Sequence, residues 1–280
     1  MKDFIVSMLN SIGQGVDAGS MDMLTKTPAQ FNQALYDTST SIASDVGMPI
    51  AAAVLSIVVM IQFTTLAGKA DGDRQTMLKL ICMTMIETCL ILFFTQNATT
   101  ILTAITSIGD WAVTTSQSVT GSAGAVRGES LGDALSGPID DAGLKGQMAA
   151  LVILLLPWLA SKIGTVVVTV VIYLRFIQLY LMTAFCPIPV ALLVNEHTRQ
   201  MGVGYFRIFV QVTFQTVMLY IALIFYRKLA VGTVKADTFH DGMKFSDWCV
   251  DNFTGLILAS ILLIAIVAVS NKAAKALTGE

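Results

Sequence analysis

Hydrophobic and polar residues alternate along this chain in long blocks, a pattern typical of helices that cross a membrane. Met48–Leu66 carries no charge and has about the length needed to span a hydrocarbon core of roughly 30 Å. A second apolar run, from Met77 to about Ile108, exceeds one membrane thickness, so its later half is expected to project from the bilayer or pack on protein. Further spans are predicted from near Trp158, from Tyr205 and from Phe253. The pattern predicts an all-α, polytopic membrane protein with about five spans.

The region 148–194 is apolar almost throughout, and its pattern leaves the number of spans open. A single helix from 148 to 186 would be about 58 Å long, and Lys162 divides it. One span that begins near Trp158, with 148–157 packed on partners, gives five spans in all. A hairpin of two closely spaced spans gives six.

The first 46 residues are expected to form an amphipathic, interfacial segment. Ile5, Leu9, Ile12 and Val16 recur at helical spacing and define one apolar stripe. A second helix is predicted to begin at Pro28, because proline is favoured at the first helical position. We expect the segment to lie at the membrane interface or against a neighbouring subunit.

Residues 114–146 form the one long polar insert between apolar runs. The segment is rich in glycine and serine and has no large aromatic residue past its start, so we expect a flexible loop. Loops of this length are usually functional or disordered. The charged candidates at a channel mouth are Arg127, Glu129, Asp133 and Lys145. The predicted organisation is an N-terminal segment (1–46), spans 1 and 2 (47–113), a loop (114–146), spans 3 to 5 (147–271) with an elbow at 186–204, and a C-terminal tail (272–280).

The composition agrees with a lipid environment. Of 280 residues, 55% are hydrophobic and 13% are charged, whereas about a quarter of a soluble domain is charged. Lysine and arginine divide almost evenly between the two sides of a five-span topology, so charge gives no orientation. The three tryptophans fall on one side, which suggests an aromatic belt.

Catalytic signals are absent from the sequence. Neither His197 nor His240 has metal-ligand spacing around it, and no GxxxxGK[ST] phosphate loop occurs. The four cysteines are too scattered for a disulfide framework and are interpreted as small apolar residues in helices. We therefore expect no enzyme activity, no cofactor and no metal, and any ATP-driven step would belong to a partner.

Three charged residues lie inside apolar runs, namely Glu87, Lys162 and Arg175. An unpaired charge in lipid costs several kcal/mol, so each is expected to face protein, water or an opposite charge. They could form a polar lining or a gating pair, for instance Glu87 with Arg175. Alternatively, they hold helices or subunits together, and Lys162 extends to an interface.

The elbow combines helix-stopping prolines with charged residues and glycines. Non-helical backbone near a membrane must be buried in protein or face water. The elbow is either an ordinary turn between two spans or a docking surface for a cytoplasmic partner. Its candidate residues are Pro187, Pro189, Asn195, Glu196, Arg199, Tyr205 and Arg207.

The order of these segments resembles the TrbL-like family, the polytopic membrane subunit of type IV secretion systems, also called the sixth VirB subunit. The similarity covers roughly residues 28–271 and is closest to the version in Gram-positive conjugative elements. Its most specific part is the Arg175 helix with the residues that follow it, Pro187-Ile188-Pro189, Asn195-Glu196, Gly204-Tyr205, Arg207 and Gln215.

This resemblance implies a channel or scaffold subunit of a conjugation machine in the cell (cytoplasmic or inner) membrane. Copies would form a homo-oligomeric ring, often of five, with an external N-terminus and central loop. The implied partners are the secretion ATPases, the coupling protein, a bitopic scaffold subunit, and relaxase-bound single-stranded DNA as transient cargo. The loop 114–146 is net acidic, which argues against tight static binding of DNA.

Two other classes of function remain as alternatives. A secondary transporter would favour internal repeats with paired broken helices, but the break at Pro187 and Pro189 has no clear counterpart in the first half of the sequence. A holin-like pore would need no elaborate elbow.

Overall fold

The computed structural model describes residues 1–16, 18–69, 74–119, 131–233, 238–240 and 242–278. Within these ranges every regular element is helical, which confirms the all-α prediction. Five helical stretches are long and apolar enough to cross a membrane, and this number agrees with the predicted five spans. They are Gln33–Leu66, Met77–Gln96, Gly143–Phe185, Glu196–Leu229 and Phe253–Leu277.

The described residues contain fourteen α-helices. In chain order they are α1 (Lys2–Gln14), α2 (Ala18–Leu24), α3 (Pro28–Phe31), α4 (Gln33–Ile42), α5 (Met48–Lys69), α6 (Arg74–Gln96), α7 (Ala98–Val119), α8 (Leu131–Ala134), α9 (Ser136–Asp141), α10 (Gly143–Phe185), α11 (Pro187–Ala191), α12 (Glu196–Thr233), α13 (Phe245–Asp251) and α14 (Phe253–Thr278). A π-helical turn, Ala43–Gly47, joins α4 to α5, and a 3₁₀ turn, Leu192–Val194, follows α11.

The third apolar region is one continuous helix rather than a hairpin. Helix α10 has 43 residues and is therefore about 64 Å long. Pro157 lies inside it, and the Pro157 carbonyl accepts a hydrogen bond from the Ser260 hydroxyl at 2.9 Å. Lys162 is exposed, so its charge does not require a break in the helix. The hairpin of two spans is therefore excluded, whereas the start of the span near Trp158 stays a prediction.

The second apolar run is interrupted, whereas the sequence predicted a single helix to about Ile108. Helix α6 ends at Gln96 and α7 begins at Ala98. The Asn97 side chain donates a hydrogen bond to the Phe93 carbonyl at 2.9 Å, and asparagine side chains compete in this way with regular helical bonding. The membrane-spanning part therefore ends where the Thr-rich part begins.

Residue contacts divide the chain into two compact units. Unit 1 contains Met1–Thr25, Trp111–Leu174 and Gln215–Ala276, and unit 2 contains Lys26–Asp110, Arg175–Phe214 and Leu277–Glu280.

The core of unit 1 is built around the N-terminal stripe. Ile5, Leu9 and Ile12 are at most 1% exposed and pack in one cluster with residues of α9, α10, α13 and α14. The stripe was correctly predicted, but it is buried against its own chain rather than at an interface or a neighbouring subunit. Trp248 is fully buried in the same cluster, so it takes no part in an aromatic belt at the membrane surface.

Much of the predicted flexible loop is helical in unit 1. Leu135 and Ile139, four residues apart, are buried in the core with α1. These two residues bury the apolar surface that the Gly/Ser-rich composition was not expected to provide. Residues 120–130, which include the predicted Arg127 and Glu129, lie outside the described residues.

Gly132 brings α8 into direct contact with α1. Its amide donates a hydrogen bond to Asn10 Oδ1 at 2.7 Å. A Cβ atom at Gly132 would lie 2.3 Å from the Val6 carbonyl oxygen, so a larger residue must displace backbone. Gly137, on α9, has nothing within 4 Å of the same position.

Gly132→Ala is accordingly expected to destabilise unit 1 by about 1–3 kcal/mol, the usual cost of overpacking. Gly13→Ala, on α1, serves as the matched control, since its Cβ atom would make only an ordinary 3.6 Å contact with Leu131 Cβ and alanine is favoured over glycine in helices. The measurement is the thermal unfolding midpoint of the detergent-solubilised protein. Equal midpoints for the two variants would contradict the close contact between α1 and α8.

Candidate functional site

The candidate site in unit 2 begins with Arg175, whose side chain is 3% exposed. Asp110, on α7, is its electrostatic partner. The Arg175 Nε and Nη1 atoms are buried and have no hydrogen-bond acceptor within the described part of the chain. The guanidinium carbon lies 5.2 Å from the centroid of the Phe176 ring. A buried cation with unused donors indicates a role beyond local packing.

Asp110 lies outside the five candidate spans and shares the buried environment of Arg175. Burial raises the pKa of the Asp110 carboxyl to about 6, although the Arg175 guanidinium acts in the opposite direction. The carboxyl is therefore costly to ionise even beside a cation. The sequence analysis missed Asp110. The signal that could have found it is its helical register, since it directly follows Gly109 on the buried face of α7 formed with Leu102, Thr106 and Val113.

A short aromatic clamp holds α3 beside the Arg175 segment. The rings of Phe31 and Phe176 stack with centroids 3.9 Å apart, and the Tyr180 hydroxyl donates a hydrogen bond to the Pro28 carbonyl at 2.7 Å. Helix α3 begins at Pro28, as predicted, and Thr27 caps it with a capping box that includes Gln30. The predicted helix is, however, interrupted at Asn32, before α4. This clamp fixes the chain that leads into the first span.

The elbow is almost entirely helical, which the sequence did not predict. Helix α10 ends at Phe185, and Pro187 then occupies the first turn of α11, where proline loses no hydrogen bond. Asn195 is 3% exposed and caps α12 by accepting a hydrogen bond from the His197 amide at 2.9 Å. Thus the prolines do interrupt the helix, but a new helix begins at once.

The elbow packs against the hairpin formed by α5 and α6. Ala191 and Val194 share a buried cluster with Leu55 on α5 and Ile91 on α6. Gly47 also touches the elbow, because a Cβ atom there would lie 3.3 Å from Pro187 Cδ. The apolar half of the elbow is thus occupied by its own chain and is not available for docking.

Two hydrogen bonds hold the start of α12 against the elbow and the end of α10. The Thr198 hydroxyl donates a hydrogen bond to the Leu192 carbonyl at 2.6 Å, and the Tyr205 hydroxyl donates one to the Met182 carbonyl. Of the candidate docking residues, Glu196, Arg199 and Arg207 are exposed. A docking role for these residues stays a prediction.

The intramembrane charges are paired differently from the suggested arrangement. Glu87 Oε1 lies 3.6 Å from Arg199 Nη2, so Glu87 joins α6 to the start of α12 rather than pairing with Arg175. Arg175 has Asp110 as its electrostatic partner, and Lys162 is exposed in unit 1. The suggested Glu87–Arg175 pair is therefore not formed, because each residue has a different residue of opposite charge as its partner.

The predicted loop residues are not part of this site. Asp133 lies on α8 and Lys145 at the start of α10, and both belong to unit 1. Their role at a channel mouth stays a prediction.

Comparison with known proteins gives one match. A family model described as TrbL/VirB6 plasmid conjugal transfer like protein matches residues 17–187. Neither a curated protein nor a solved structure matches the chain. The match covers more than half of the chain and includes the first three spans and Arg175, but it ends at Pro187, before the charged part of the elbow. The chain therefore belongs to the TrbL/VirB6 plasmid conjugal transfer like family.

Proposed function

We propose that this protein is a non-enzymatic channel or scaffold subunit of a type IV secretion machine. Copies of it would form the oligomeric base of the path that relaxase-bound single-stranded DNA takes out of the donor cell. The ring would contain five copies, the number that the family resemblance implies, in the cytoplasmic membrane.

The family match supports a membrane role in conjugal transfer. A member of this family is a membrane component of conjugal transfer, and five apolar helices make this chain a multi-pass membrane protein. The observation that supports a structural role in an assembly is the buried Arg175 with its partner Asp110. Such a buried ion pair is a structural feature, and it makes the packing of α7 against α10 specific.

Partners would supply the energy for transfer. The sequence has no phosphate loop of the Walker type, so ATP hydrolysis would belong to the secretion ATPases and the coupling protein. A bitopic scaffold subunit would complete the contacts within the membrane. Exposed apolar side chains on α5 and α6, such as Met60 at 70% and Ile86 at 66%, offer surface for lipid and for neighbouring subunits.

The proposal is tested by deleting the gene in a donor cell and restoring it from a second plasmid. We expect DNA transfer to fall to background in the deletion strain and to return on complementation, while donor growth is unchanged. Extraction in mild detergent followed by mass determination should yield a homo-oligomer. A strictly monomeric protein, or normal transfer in its absence, would refute the proposed role.

A further inference from the structure

Helix α10 is longer than a bilayer is thick, and its first turns lie in water. Its 43 residues extend about 64 Å, whereas a hydrocarbon core is roughly 30 Å thick. In unit 1, Ala150 and Leu154 pack in one core with residues of α1, α9 and α13. These three helices carry exposed charged side chains, namely Asp3, Asp140, Asp141, Asp247 and Asp251. Because a charge costs several kcal/mol in hydrocarbon, the first three turns of α10 lie outside it.

The outward face of this part of α10 is nevertheless apolar. Leu144 and Val152 are 73% and 71% exposed, and Met148 and Leu155 are about half exposed. Their spacing of four, four and three residues places them on one side of the helix. We call these four residues the α10 stripe. An aliphatic surface of this kind outside the hydrocarbon indicates a contact with protein.

Helices α13 and α14 present a second exposed face in the same unit. Asp247, Val250 and Asp251 are exposed on α13, and Leu258 and Ile261 are 48% and 55% exposed on α14. Helical hydrogen bonding continues across the junction of the two helices, so these five residues form one surface, which we call the α13–α14 face. Its first part is acidic and its second part is aliphatic.

Helices α10 and α14 pack side by side and run in the same direction. The Ser260 hydroxyl donates a hydrogen bond to the Pro157 carbonyl at 2.9 Å. Further along both helices, a Cβ atom at Gly164 would lie 2.9 Å from Leu263 Cδ2. Residues at equal height on the two helices therefore differ by about 100 in number.

Leu155 and Leu258 consequently stand at equal height, on opposite sides of the helix pair. Each lies two residues before the residue through which its helix contacts the other, and two residues are a rotation of about 200°. Lys145, the exposed charge beside the α10 stripe, stands at about the height of Asp247. The two surfaces thus point away from each other, with matching heights.

We infer that the α10 stripe of one copy packs on the α13–α14 face of the next copy in the ring. Copies in a ring are related by rotation about one axis, and in a membrane that axis is the bilayer normal, so residues at equal height meet. The contact brings Lys145 to Asp247 and Leu155 to Leu258, and it therefore matches opposite charges as well as apolar surface. The inference rests on the ring of the proposed function.

The test is disulfide formation between copies in native membranes. The exposed Cys82 and Cys89 are first replaced by serine, while the buried Cys186 and Cys249 are kept. Leu155→Cys and Leu258→Cys are then introduced into one chain, and the membranes are oxidised with copper phenanthroline. We expect most of the monomer to shift to a ladder of covalent multimers on a non-reducing gel, because each chain links to two neighbours. The ladder should collapse to monomer on reduction.

The matched control keeps the same faces but changes the height. Val166, 61% exposed, lies on the side of α10 that carries Leu155 but is about 16 Å further along the helix. A disulfide requires Cα atoms within about 7 Å of each other. Val166→Cys with Leu258→Cys should therefore give at least ten-fold less covalent multimer.

The other outcomes separate this inference from the proposed function. Multimers formed by either single cysteine would show a symmetric contact between identical surfaces and would overturn the inference. If the Leu155→Cys, Leu258→Cys variant is an oligomer by mass in mild detergent but forms no disulfide, the contact lies elsewhere. The inference then fails, while the proposed ring stands. A strictly monomeric protein refutes the ring itself.

Discussion

Replacing Arg175 with alanine is expected to reduce both the assembled oligomer and DNA transfer sharply. The guanidinium is 3% exposed and is the cation that faces Asp110. Removing one member of a buried charge pair typically costs about 3–5 kcal/mol, because the other charge stays buried without compensation. The expected loss is therefore comparable to a large fraction of the stability of a typical domain.

Protonation of Asp110 limits this loss. Its pKa is already raised to about 6 by burial with Arg175 present, and without Arg175 the carboxyl is easier still to keep neutral. A raised carboxyl pKa favours the folded state at low pH, and that contribution is lost as pH rises through about 6. The Arg175→Ala variant should consequently be more stable near pH 5 than near pH 8.

A double variant separates stability from function. Arg175→Met with Asp110→Asn removes both charges at similar volume, and such replacements are often neutral or stabilising. We expect the double variant to recover the oligomer, as measured by mass in mild detergent, but not DNA transfer. Lys162→Ala, at an exposed position on the same helix, is the control and should behave as wild type. Normal assembly and transfer by Arg175→Ala would leave Arg175 without a functional role.

The spans and the N-terminal stripe could be predicted because they depend on local periodicity. The five apolar runs and the spacing of Ile5, Leu9 and Ile12 are properties of consecutive residues. What covers the stripe could not be predicted, because its partners, such as Ile139 and Trp248, are distant in sequence. The composition of 131–146 also predicted a flexible loop, but this segment is largely helical. Its two buried apolar residues, Leu135 and Ile139, have helical spacing and outweigh the glycines and serines.

Charge pairing was the least predictable part of the site. The sequence shows that Glu87 and Arg175 need partners, but it does not show which helices meet. The structure places Arg199 beside Glu87, and Asp110 is the partner of Arg175. Arg199 lies in the first turn of α12, whereas Asp110 lies in the middle of α7 and is distant in sequence from Arg175.

Gly202→Ala is expected to separate α12 from the elbow, and Gly204→Ala is its control. A Cβ atom at Gly202 would lie 2.6 Å from the Pro189 carbonyl oxygen and 2.5 Å from Leu193 Cδ2. The leucine can change rotamer, but the carbonyl belongs to the backbone, so the elbow and α12 must separate. Gly204, two residues further on the same helix, has nothing within 4 Å of its Cβ position.

The two variants should therefore shift stability in opposite directions. Alanine is preferred to glycine inside a helix by about 1 kcal/mol, so Gly204→Ala should raise the thermal unfolding midpoint slightly. At Gly202 the same preference is outweighed by an overpacking cost of about 1–3 kcal/mol, and the midpoint should fall. DNA transfer should fall with Gly202→Ala alone, because separation of the elbow also pulls Arg199 away from Glu87. If both variants raise the midpoint, the close packing of α12 on the elbow is absent in the membrane.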